Sequence, residues 1–355
     1  MHEQNFVTVG IDLGGTTTRV GVLGSSMRIL DRRTLPTRVA AGPAAVVSDM
    51  AESVLSLLNG PDEQGKPYAP IGIGIGSPGP INLRKGVLGL LPNFPGWDGF
   101  PLRDALIEAT GLPVILESDA NAAAIAEWKL GAGRTTGLSS MAMLTLGTGV
   151  GSGLILNGEV WQGVFGMAGE VGHVTIVPDG LRCSCGSCGC LEMYASANGL
   201  MRLARTVACS PYATASLRKL ASGGGEFTPL HIAQLAEAGD SSAKLAFKQL
   251  GTYLGIGIAN LISTLDLPLI VIGGGVATAW PLFVDSMFKA VYDHSLVYRL
   301  MAPTQRLTIE HDHTFICQAV LGPSAGLLGA ALLPHLHGVA EPAEPLSDAG
   351  QEVAN

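Results

Sequence analysis

The fold is decided by the stretch Phe6-Val-Thr-Val-Gly-Ile-Asp-Leu13, then Gly14-Gly15, then Thr16-Thr-Thr-Arg-Val-Gly-Val-Leu23. Two β-rich runs separated by a glycine pair predict a hairpin. Glycine exposes the backbone N–H groups of the turn, and such groups hold phosphate oxygens. An aspartate before the turn, Asp12, suits Mg²⁺ held through water. An ordinary hairpin is the alternative, because Gly-Gly is a common turn dipeptide.

Two further glycine turns follow apolar runs: Leu146-Gly-Thr-Gly-Val-Gly151 and Gly273-Gly-Gly-Val-Ala277. Three such turns in one chain favour phosphate binding over three unrelated hairpins. A Walker A motif is excluded, because GxxxxGK[ST] does not occur in the sequence. The spacing Gly74-x-Gly76-x-x-Gly79 matches a dinucleotide fingerprint formally. The prolines on either side of Gly79 prevent the helix that this fingerprint requires.

Apolar periodicity predicts alternating strands and helices in both halves of the chain, so the fold class is α/β. A change of strand partner near Asp119 would divide the chain into two lobes with a cleft between them. The predicted domains are an N-terminal lobe of residues 1–119 with 324–337, a C-terminal lobe of residues 120–323, and a disordered tail of residues 338–355. The predicted helices are Pro43–Leu58, Pro101–Thr110, Ala120–Leu130, a helix from a cap at Asp240 to Leu265, and Ser324–Leu336. The predicted strands after the first hairpin are Ile71–Ile75, Val114–Glu117, Met141–Leu146, Gly153–Leu156 and Leu269–Ile272.

Composition narrows the function classes. The 355 residues carry a net charge of −8 and show no dense Lys/Arg stripe, which argues against a nucleic-acid partner. No apolar run reaches the roughly 18–20 residues that a membrane span needs. The N-terminus shows no basic region of a signal peptide. A cytoplasmic enzyme without a membrane partner is therefore expected.

Four of the six cysteines fall between Cys183 and Cys190, which predicts metal binding instead of a disulfide framework. His173, Cys183, Cys185 and Cys190 supply one imidazole and three thiolates, a ligand set that tetrahedral zinc prefers. Four protein ligands fill the coordination shell, so the site is expected to be structural. Cys188 either replaces a neighbour as ligand or lies free beside the site.

The segment Glu117-Ser-Asp-Ala-Asn-Ala-Ala-Ala124 follows a predicted strand and opens a predicted helix. Asp119 lies at the level where α/β proteins bind ligands. A carboxylate there is a candidate general base, since phosphoryl transfer needs one group to accept the proton of the attacking hydroxyl. Helix N-capping by Asp119 is the alternative, and the two roles are compatible.

The first two glycine turns resemble those of the actin-like ATPase and sugar kinase superfamily, which has a ribonuclease H-like fold. The segments Gly169-Glu-Val-Gly-His173 and Cys183-Ser-Cys-Gly-Ser-Cys-Gly-Cys-Leu-Glu192 resemble the signature of the ROK family (repressors, open reading frames and kinases). The resemblance runs from Asp12 to about residue 330, with Cys188 as an addition to the family pattern. It implies His173, Cys183, Cys185 and Cys190 as zinc ligands and Asp119 as the general base.

The resemblance also implies the binding residues. Those for ATP with Mg²⁺ are Asp12, Gly14, Gly15, Thr16, Thr17, Gly147, Thr148, Gly149, Gly274 and Gly275. Those for a hexose are Ser77, Gly79, Asn93, Ser118, Asp119, Glu170, His173 and Glu192. Ser118 replaces the asparagine that usually precedes the base in the family, which puts the sugar preference in doubt.

The implied activity is phosphorylation of glucose to glucose 6-phosphate with ATP, in a homodimer or homotetramer. Fructose, allose and N-acetylmannosamine stay open as substrates, because pockets of this kind share nearly the same polar groups. A sugar-sensing regulator is the second possibility, although no DNA-binding segment precedes Asp12 in this sequence and the chain is acidic. An actin-like assembling ATPase is the third, and it leaves Glu170, Glu192 and the cysteines unexplained.

Overall fold

The structure is a computed structural model that describes residues 5–61, 65–89, 91, 94–223, 226–303 and 313–338. The chain divides into two compact units. Unit 1 consists of Met1–Ala122 and Gly326–Asn355, and unit 2 of Ala123–Ala325. The two divisions between the units fall inside one helix and at the beginning of another.

The strands in the described part of unit 1 are β1 Asn5–Leu13, β2 Thr17–Gly24, β3 Ile29–Pro36, β4 Tyr68–Ser77, β5 Ile81–Asn82, β6 Val87–Leu88 and β7 Val114–Ser118. Five of them form a mixed sheet in the order β3-β2-β1-β4-β7, while β5 and β6 form a short separate ribbon. In the sheet, β2 is antiparallel to β1 and β3, and β4 is parallel to β1 and β7. The helices of unit 1, numbered along the whole chain, are α1 Pro43–Leu58, α2 Leu102–Thr110, the beginning of α3 Asp119–Lys129 and nearly all of α11 Ala325–Leu336.

Strand β1 is buried on both faces, because side chains alternate along a strand and each face meets other elements. Val7, Val9 and Ile11 join the same apolar cluster as Met50 of α1. The intervening Thr8 points to the other face, where its hydroxyl donates a hydrogen bond to the carbonyl oxygen of Ala331 in α11 at 2.7 Å. This burial on both faces fixes the strand that leads into the first glycine turn.

Unit 2 is built on a second mixed sheet, which has five strands among the described residues, in the order β10-β9-β8-β11-β12. The strands are β8 Met141–Leu146, β9 Val150–Leu156, β10 Glu159–Val160, β11 Leu269–Gly273 and β12 Phe315–Gln318. The helices are α4 Glu192–Ala195, α5 Ala197–Ala208, α6 Ala215–Ala221, α7 Pro229–Glu237, α8 Ser241–Leu265, α9 Trp280–His294 and α10 Leu296–Met301.

The interior of unit 2 forms around β11 and the long helix α8. Every residue of β11 is buried, as expected for an apolar strand paired on both sides. The carboxylate of Asp240 accepts hydrogen bonds from the N–H groups of Ser242 and Ala243 at the beginning of α8. The predicted cap at Asp240 is confirmed.

The predicted elements are present with small differences at their ends. Helix α1 has the predicted bounds, while α2 begins one residue later and α3 one residue earlier than predicted. Strand β9 begins at Val150 instead of Gly153, because Val150 and Gly151 pair with β8. The predicted tail of residues 338–355 lies outside the described residues except for Gly338.

Across the described ranges, no helix combines the length and the apolar character that a bilayer crossing requires.

Candidate functional site

The first glycine turn joins β1 to β2 and is held by main-chain bonds. The N–H of Gly14 donates to the carbonyl oxygen of Thr17 at 3.1 Å. Thr37, which follows β3, supports the turn from outside. Its hydroxyl donates to the carbonyl oxygen of Gly14 at 2.7 Å. Its N–H donates to the carbonyl oxygen of Thr16 at 2.9 Å. The sequence analysis did not predict this role of Thr37, because a threonine after a strand does not indicate which turn it contacts.

Asp12 lies next to this turn and pairs with Arg19 across the hairpin. Arg19 Nη1 donates to Asp12 Oδ2 at 2.9 Å, and the side chain of Asp12 is 16% exposed. Burial raises the pKa of the Asp12 carboxyl, while the hydrogen bond and the charge of Arg19 oppose that rise. A carboxylate that one arginine compensates only in part would gain from a nearby cation, which fits the predicted Mg²⁺ role.

The second and third glycine turns lie side by side in unit 2. The N–H of Gly147 donates to the carbonyl oxygen of Gly149 at 3.0 Å, and the carbonyl of Gly147 accepts from the N–H of Ala197 at 2.8 Å. Gly274 has a φ of +87°, and a β-carbon there would lie 2.5 Å from the main-chain nitrogen of Leu146. Only glycine fits this conformation and this contact. Gly147, Thr148 and Gly275 line a common cavity of about 420 Å³.

Asp119 is the first residue of α3, and its side chain is exposed. The hydroxyl oxygen of Ser118 accepts a hydrogen bond from the N–H of Asn121 at 3.1 Å, so Ser118 is the residue that caps the helix. Asp119 Oδ1 accepts from the adjacent N–H of Ala120 at 2.7 Å. The alternative in which Asp119 is needed as the N-cap is therefore not supported.

Glu117 fixes the segment that carries Ser118 and Asp119. Its side chain is buried, and Oε1 accepts from the N–H of Ser118 at 2.8 Å and from Asn121 Nδ2 at 2.9 Å. Glu117 and Asn121 belong to the same motif, but the sequence did not predict a role for them. Helical spacing could not have indicated this contact, because Glu117 lies in β7 and Asn121 in α3.

Other residues predicted to bind a hexose lie at the same edge of the sheet in unit 1. Ser77 ends β4 and is the register partner of Ser118 at the end of β7. Gly79 follows two residues after β4. The parallel pairing of β4 and β7 thus brings Ser77 beside Ser118 and Asp119. Asn93 lies outside the described residues.

His173, Cys183, Cys185 and Cys190 come together in unit 2, with one ligand atom from each within 4.8 Å of the others. Cys183 Sγ lies 3.6 Å from His173 Nδ1, and Cys185 Sγ lies 3.7 Å from Cys190 Sγ. Ligand atoms about 2.3 Å from a tetrahedral zinc ion are about 3.7 Å apart. The donor set and its spacing therefore fit zinc.

Two thiols of this cluster have pKa values shifted from that of an ordinary cysteine. Burial, with the neighbouring thiols of Cys185 and Cys183, raises the pKa of Cys190 to about 12. The pKa of Cys185 is lowered, chiefly by a hydrogen bond from the main chain of Ser187. The Cys190 thiolate is therefore disfavoured unless a nearby cation compensates its charge, so the cluster suits a bound metal ion.

Cys188 is not a member of this four-residue group, although it lies in the same loop. Its main-chain carbonyl accepts a hydrogen bond from Thr175 Oγ1 at 3.0 Å. Of the two open possibilities for Cys188, a position beside the site agrees with the structure.

Two further predicted residues, Glu170 and Glu192, lie beside the metal cluster. His173 Nε2, on the ring edge away from Cys183, lies 4.0 Å from Glu170 Oε2. Glu192 Oε1 lies 3.9 Å from Cys183 Sγ, and Glu192 Oε2 accepts from the N–H of Val150 at 3.1 Å. A β-carbon at Gly149 would lie 2.0 Å from Glu192 Oε2, so a larger residue there would displace the Glu192 carboxylate. Glu192 thus contacts both the metal loop and the second glycine turn.

Each unit therefore contains its own part of the predicted site. Unit 1 holds the first turn with Asp12, and the strand ends with Ser77, Ser118 and Asp119. Unit 2 holds the other two turns and the metal cluster with Glu192.

Comparison with known proteins gives a consistent result along nearly the whole chain. The profile of the ROK family matches residues 8–336. A glucokinase of Halalkalibacterium halodurans is 38% identical over 326 residues, which are 92% of this chain and 94% of that protein.

Solved structures agree with this match. A ROK hexokinase from Thermus thermophilus has a TM-score of 0.73 and 35% identity, over 93% of this chain and 98% of that chain. A ROK family glucokinase from Streptomyces griseus, in complex with glucose and AMPPNP, has a TM-score of 0.72 and 32% identity, over 93% of this chain and 99% of that chain.

A xylose repressor of Caldicellulosiruptor bescii is also similar, but over a smaller part. It is 32% identical over 243 residues, which are 65% of this chain and 57% of the repressor.

Proposed function

The chain belongs to the ROK family, and from that premise we propose that it is a glucokinase that transfers a phosphoryl group from ATP to glucose. The observation that carries this function is the similarity to glucokinases, which extends over almost the full length of both chains. The similarity to a repressor covers a smaller part of both proteins. A sugar kinase is therefore preferred over a sugar-sensing regulator.

We further propose Asp119 as the general base. Its carboxylate is exposed at the beginning of α3, and Ser118 provides the helix cap in its place. In the reaction, the sugar hydroxyl oxygen attacks the γ-phosphorus and its proton passes to Asp119. The bond between the γ-phosphorus and the β–γ bridging oxygen breaks, and ADP leaves.

The three glycine turns are the proposed binding elements for ATP. The residues are Asp12, Gly14, Gly15, Thr16, Thr17, Gly147, Thr148, Gly149, Gly274 and Gly275. Their backbone N–H groups suit phosphate oxygens. Asp12 would hold Mg²⁺, whose charge neutralises the developing charge on the phosphates.

The hexose is proposed to contact Ser77, Gly79, Asn93, Ser118, Asp119, Glu170, His173 and Glu192. Fructose, allose and N-acetylmannosamine are the alternative hexoses. Two observations support these contacts. Ser77 pairs in register with Ser118, which precedes Asp119. Glu170 lies beside His173, and Glu192 lies beside Cys183 in the same metal cluster.

His173, Cys183, Cys185 and Cys190 are proposed to hold a structural Zn²⁺. The supporting observation is a set of four donor atoms within 4.8 Å of one another, two pairs of which are 3.6 and 3.7 Å apart. The ion would cross-link the loop of residues 173–190 and so orient Glu192, which follows soon after the last ligand.

The wider organisation is also a proposal. We propose the actin-like ATPase fold with two lobes and a central cleft, domains of residues 1–119 with 324–337 and of residues 120–323, and a disordered tail of residues 338–355. A homodimer or homotetramer in the cytoplasm, without nucleic-acid or membrane partners, is proposed from the family resemblance and the acidic composition.

A coupled ADP-release assay across a panel of hexoses tests this function. The parent protein should release ADP only with sugar, and fastest with glucose. Asp119→Asn and Asp119→Ala should lower kcat by several orders of magnitude. Asp104→Asn is the matched control, since Asp104 is an exposed aspartate in the first turn of α2. ADP release that needs no sugar, or equal rates in parent and Asp119→Asn, would contradict the proposal.

A further inference from the structure

The cavity of about 420 Å³ in unit 2 lies beside two of the glycine turns. Gly147 and Thr148 of the second turn and Gly275 of the third turn form part of its wall. If the turns hold the phosphates of the donor, the rest of this cavity is where the base of the same nucleotide must lie. A base site in this cavity therefore rests on the proposed kinase function.

The cavity wall away from the turns is apolar. Leu200 of α5, Ala233 of α7 and Phe247 of α8 contribute to it, together with Val276 of the third turn and Ala279 after it. Among the described residues, every side chain that lines this cavity is apolar or belongs to threonine, apart from the glycines. The described wall thus offers no charged, amide or imidazole side chain to the edge of a base.

The threonine hydroxyls at the cavity are engaged elsewhere or belong to the phosphate turn. Thr228 caps α7, where its hydroxyl oxygen accepts from the N–H of His231 at 3.4 Å and lies 2.9 Å from His231 Nδ1. The hydroxyl of Thr278 donates to the carbonyl oxygen of Gly275 at 2.7 Å. The remaining one, Thr148, lies at the tip of the second turn.

Leu230 stands at the rim of the same cavity and is 64% exposed. It lies in the first turn of α7, directly after Pro229, which also lines the cavity. A flat aromatic base packed against Leu230 would cover an apolar side chain that otherwise faces solvent.

We propose that this donor site binds a purine by shape and apolar contact, so that GTP and ITP serve as phosphoryl donors along with ATP. Apolar pockets discriminate between similar ligands by only roughly 10–200-fold, whereas sites that hydrogen-bond a polar group reject the wrong ligand by about 10⁴–10⁵-fold. The chemistry is unchanged with each donor: the β–γ bridging P–O bond breaks, the new bond joins phosphorus to the sugar oxygen, the hydroxyl proton passes to Asp119, and the nucleoside diphosphate leaves.

The first test measures kcat/KM for ATP, GTP, ITP, CTP and UTP at saturating glucose. Glucose 6-phosphate is detected with glucose 6-phosphate dehydrogenase, so that detection does not depend on the base. The kcat/KM values of the three purine nucleotides should agree within about 200-fold, and those of the pyrimidine nucleotides, which bury less apolar surface, should be lower. A preference for ATP over GTP above about 10³-fold would overturn the proposal.

The second test uses Leu230→Ala, with Leu300→Ala as the matched control. Leu300 is an exposed leucine on α10 that does not line the cavity. Leu230→Ala should raise the KM values for ATP and GTP together, by roughly tenfold, because the same apolar contact is lost for either base. The KM for glucose should not change. An increase for one purine only, or for neither, would contradict apolar recognition at this wall.

Calorimetric titration with AMP-PNP and GMP-PNP separates this proposal from the kinase function. Similar dissociation constants, both weakened by Leu230→Ala, support the base site even if sugar-dependent turnover is absent. Absence of turnover with every donor refutes the kinase function instead. Binding of AMP-PNP without binding of GMP-PNP refutes the base site, whatever the turnover.

Discussion

Glu192 Oε2 accepts a hydrogen bond from the main-chain N–H of Val150 at 3.1 Å, although the two residues are 42 positions apart. Val150 begins β9 directly after the second glycine turn, and Glu192 follows two residues after Cys190 of the metal cluster. The loop that carries the cysteines and the turn proposed to hold phosphate are therefore linked through one carboxylate.

This link predicts that Glu192 affects kcat/KM for the nucleotide as well as for the sugar. Glu192→Ala leaves the N–H of Val150 without its charged acceptor, a loss of about 1.5–3 kcal/mol for such a bond. We expect kcat/KM to fall roughly 10–100-fold for ATP as well as for glucose, measured by varying one substrate at saturation of the other. Glu170→Ala, which removes a carboxylate beside His173, should affect glucose alone. A change confined to glucose in Glu192→Ala would show that the link has no effect on the donor.

Removal of the metal should lower stability and sugar affinity together. We expect Cys185→Ser, or chelation verified by metal analysis, to lower the Tm and weaken glucose binding, because the ion and the sugar-facing residues share a loop. Cys209→Ser and Cys188→Ser should retain the metal content of the parent, since neither residue belongs to the four-ligand group. Calorimetry and elemental analysis measure both effects. Unchanged Tm and affinity in metal-free protein would refute a structural metal.

Asp12→Asn should separate activity from stability. Burial raises the pKa of Asp12 in the folded protein, so the folded state holds this proton more tightly than the unfolded chain. The stability contributed by the protonated form is present below the unfolded pKa and is lost as pH rises through the folded pKa. Asparagine does not titrate, so the variant does not undergo this loss. As pH rises above about 4, the free energy of unfolding of the variant should therefore increase relative to that of the parent.

The activity of Asp12→Asn should fall by about 100-fold or more, since a charge that positions the donor is removed. Denaturant unfolding at several pH values, with the assay at pH 7, measures both properties. A parent that gains stability relative to the variant over the same pH window would show that the ion pair with Arg19 outweighs the cost of burial.

Ser118 permits a test of the unusual residue before the base. Ser118→Ala removes the cap of α3 and should lower the free energy of unfolding by about 1 kcal/mol. Ser118→Asn keeps a capping oxygen and restores the residue usual in the family. Its stability should match that of the parent, while its KM for glucose should change. Equal stability of all three proteins would mean that the cap is dispensable.

Local patterns in the sequence were sufficient for most of the fold. The hairpin at Gly14-Gly15, helix α1 and the cap at Asp240 all depend on residues close in the chain, and the structure confirms them. The beginning of β9 was placed too late, at Gly153. Gly151 and Gly153 have low strand propensity, but pairing with β8 outweighs it.

The supporting contacts of the site were not predictable from one sequence. Thr37 reaches back 23 positions to Gly14, and Glu192 reaches back 42 positions to Val150. Such contacts depend on how separate elements pack, and no local spacing encodes them. The capping role of Ser118 was also missed, because Asp119 is an equally good capping residue by type.

The assignment of the cap to Ser118 has an evolutionary consequence. The two adjacent residues have different roles at the beginning of α3: Ser118 accepts the N–H of Asn121 as the N-cap, and Asp119 accepts the N–H of its neighbour Ala120. If Asp119 is the base as proposed, selection on turnover can act at position 119 while the N-cap at Ser118 stays in place. A copy that lost the proposed base would keep the cap of α3, so a non-catalytic descendant could arise by a single change.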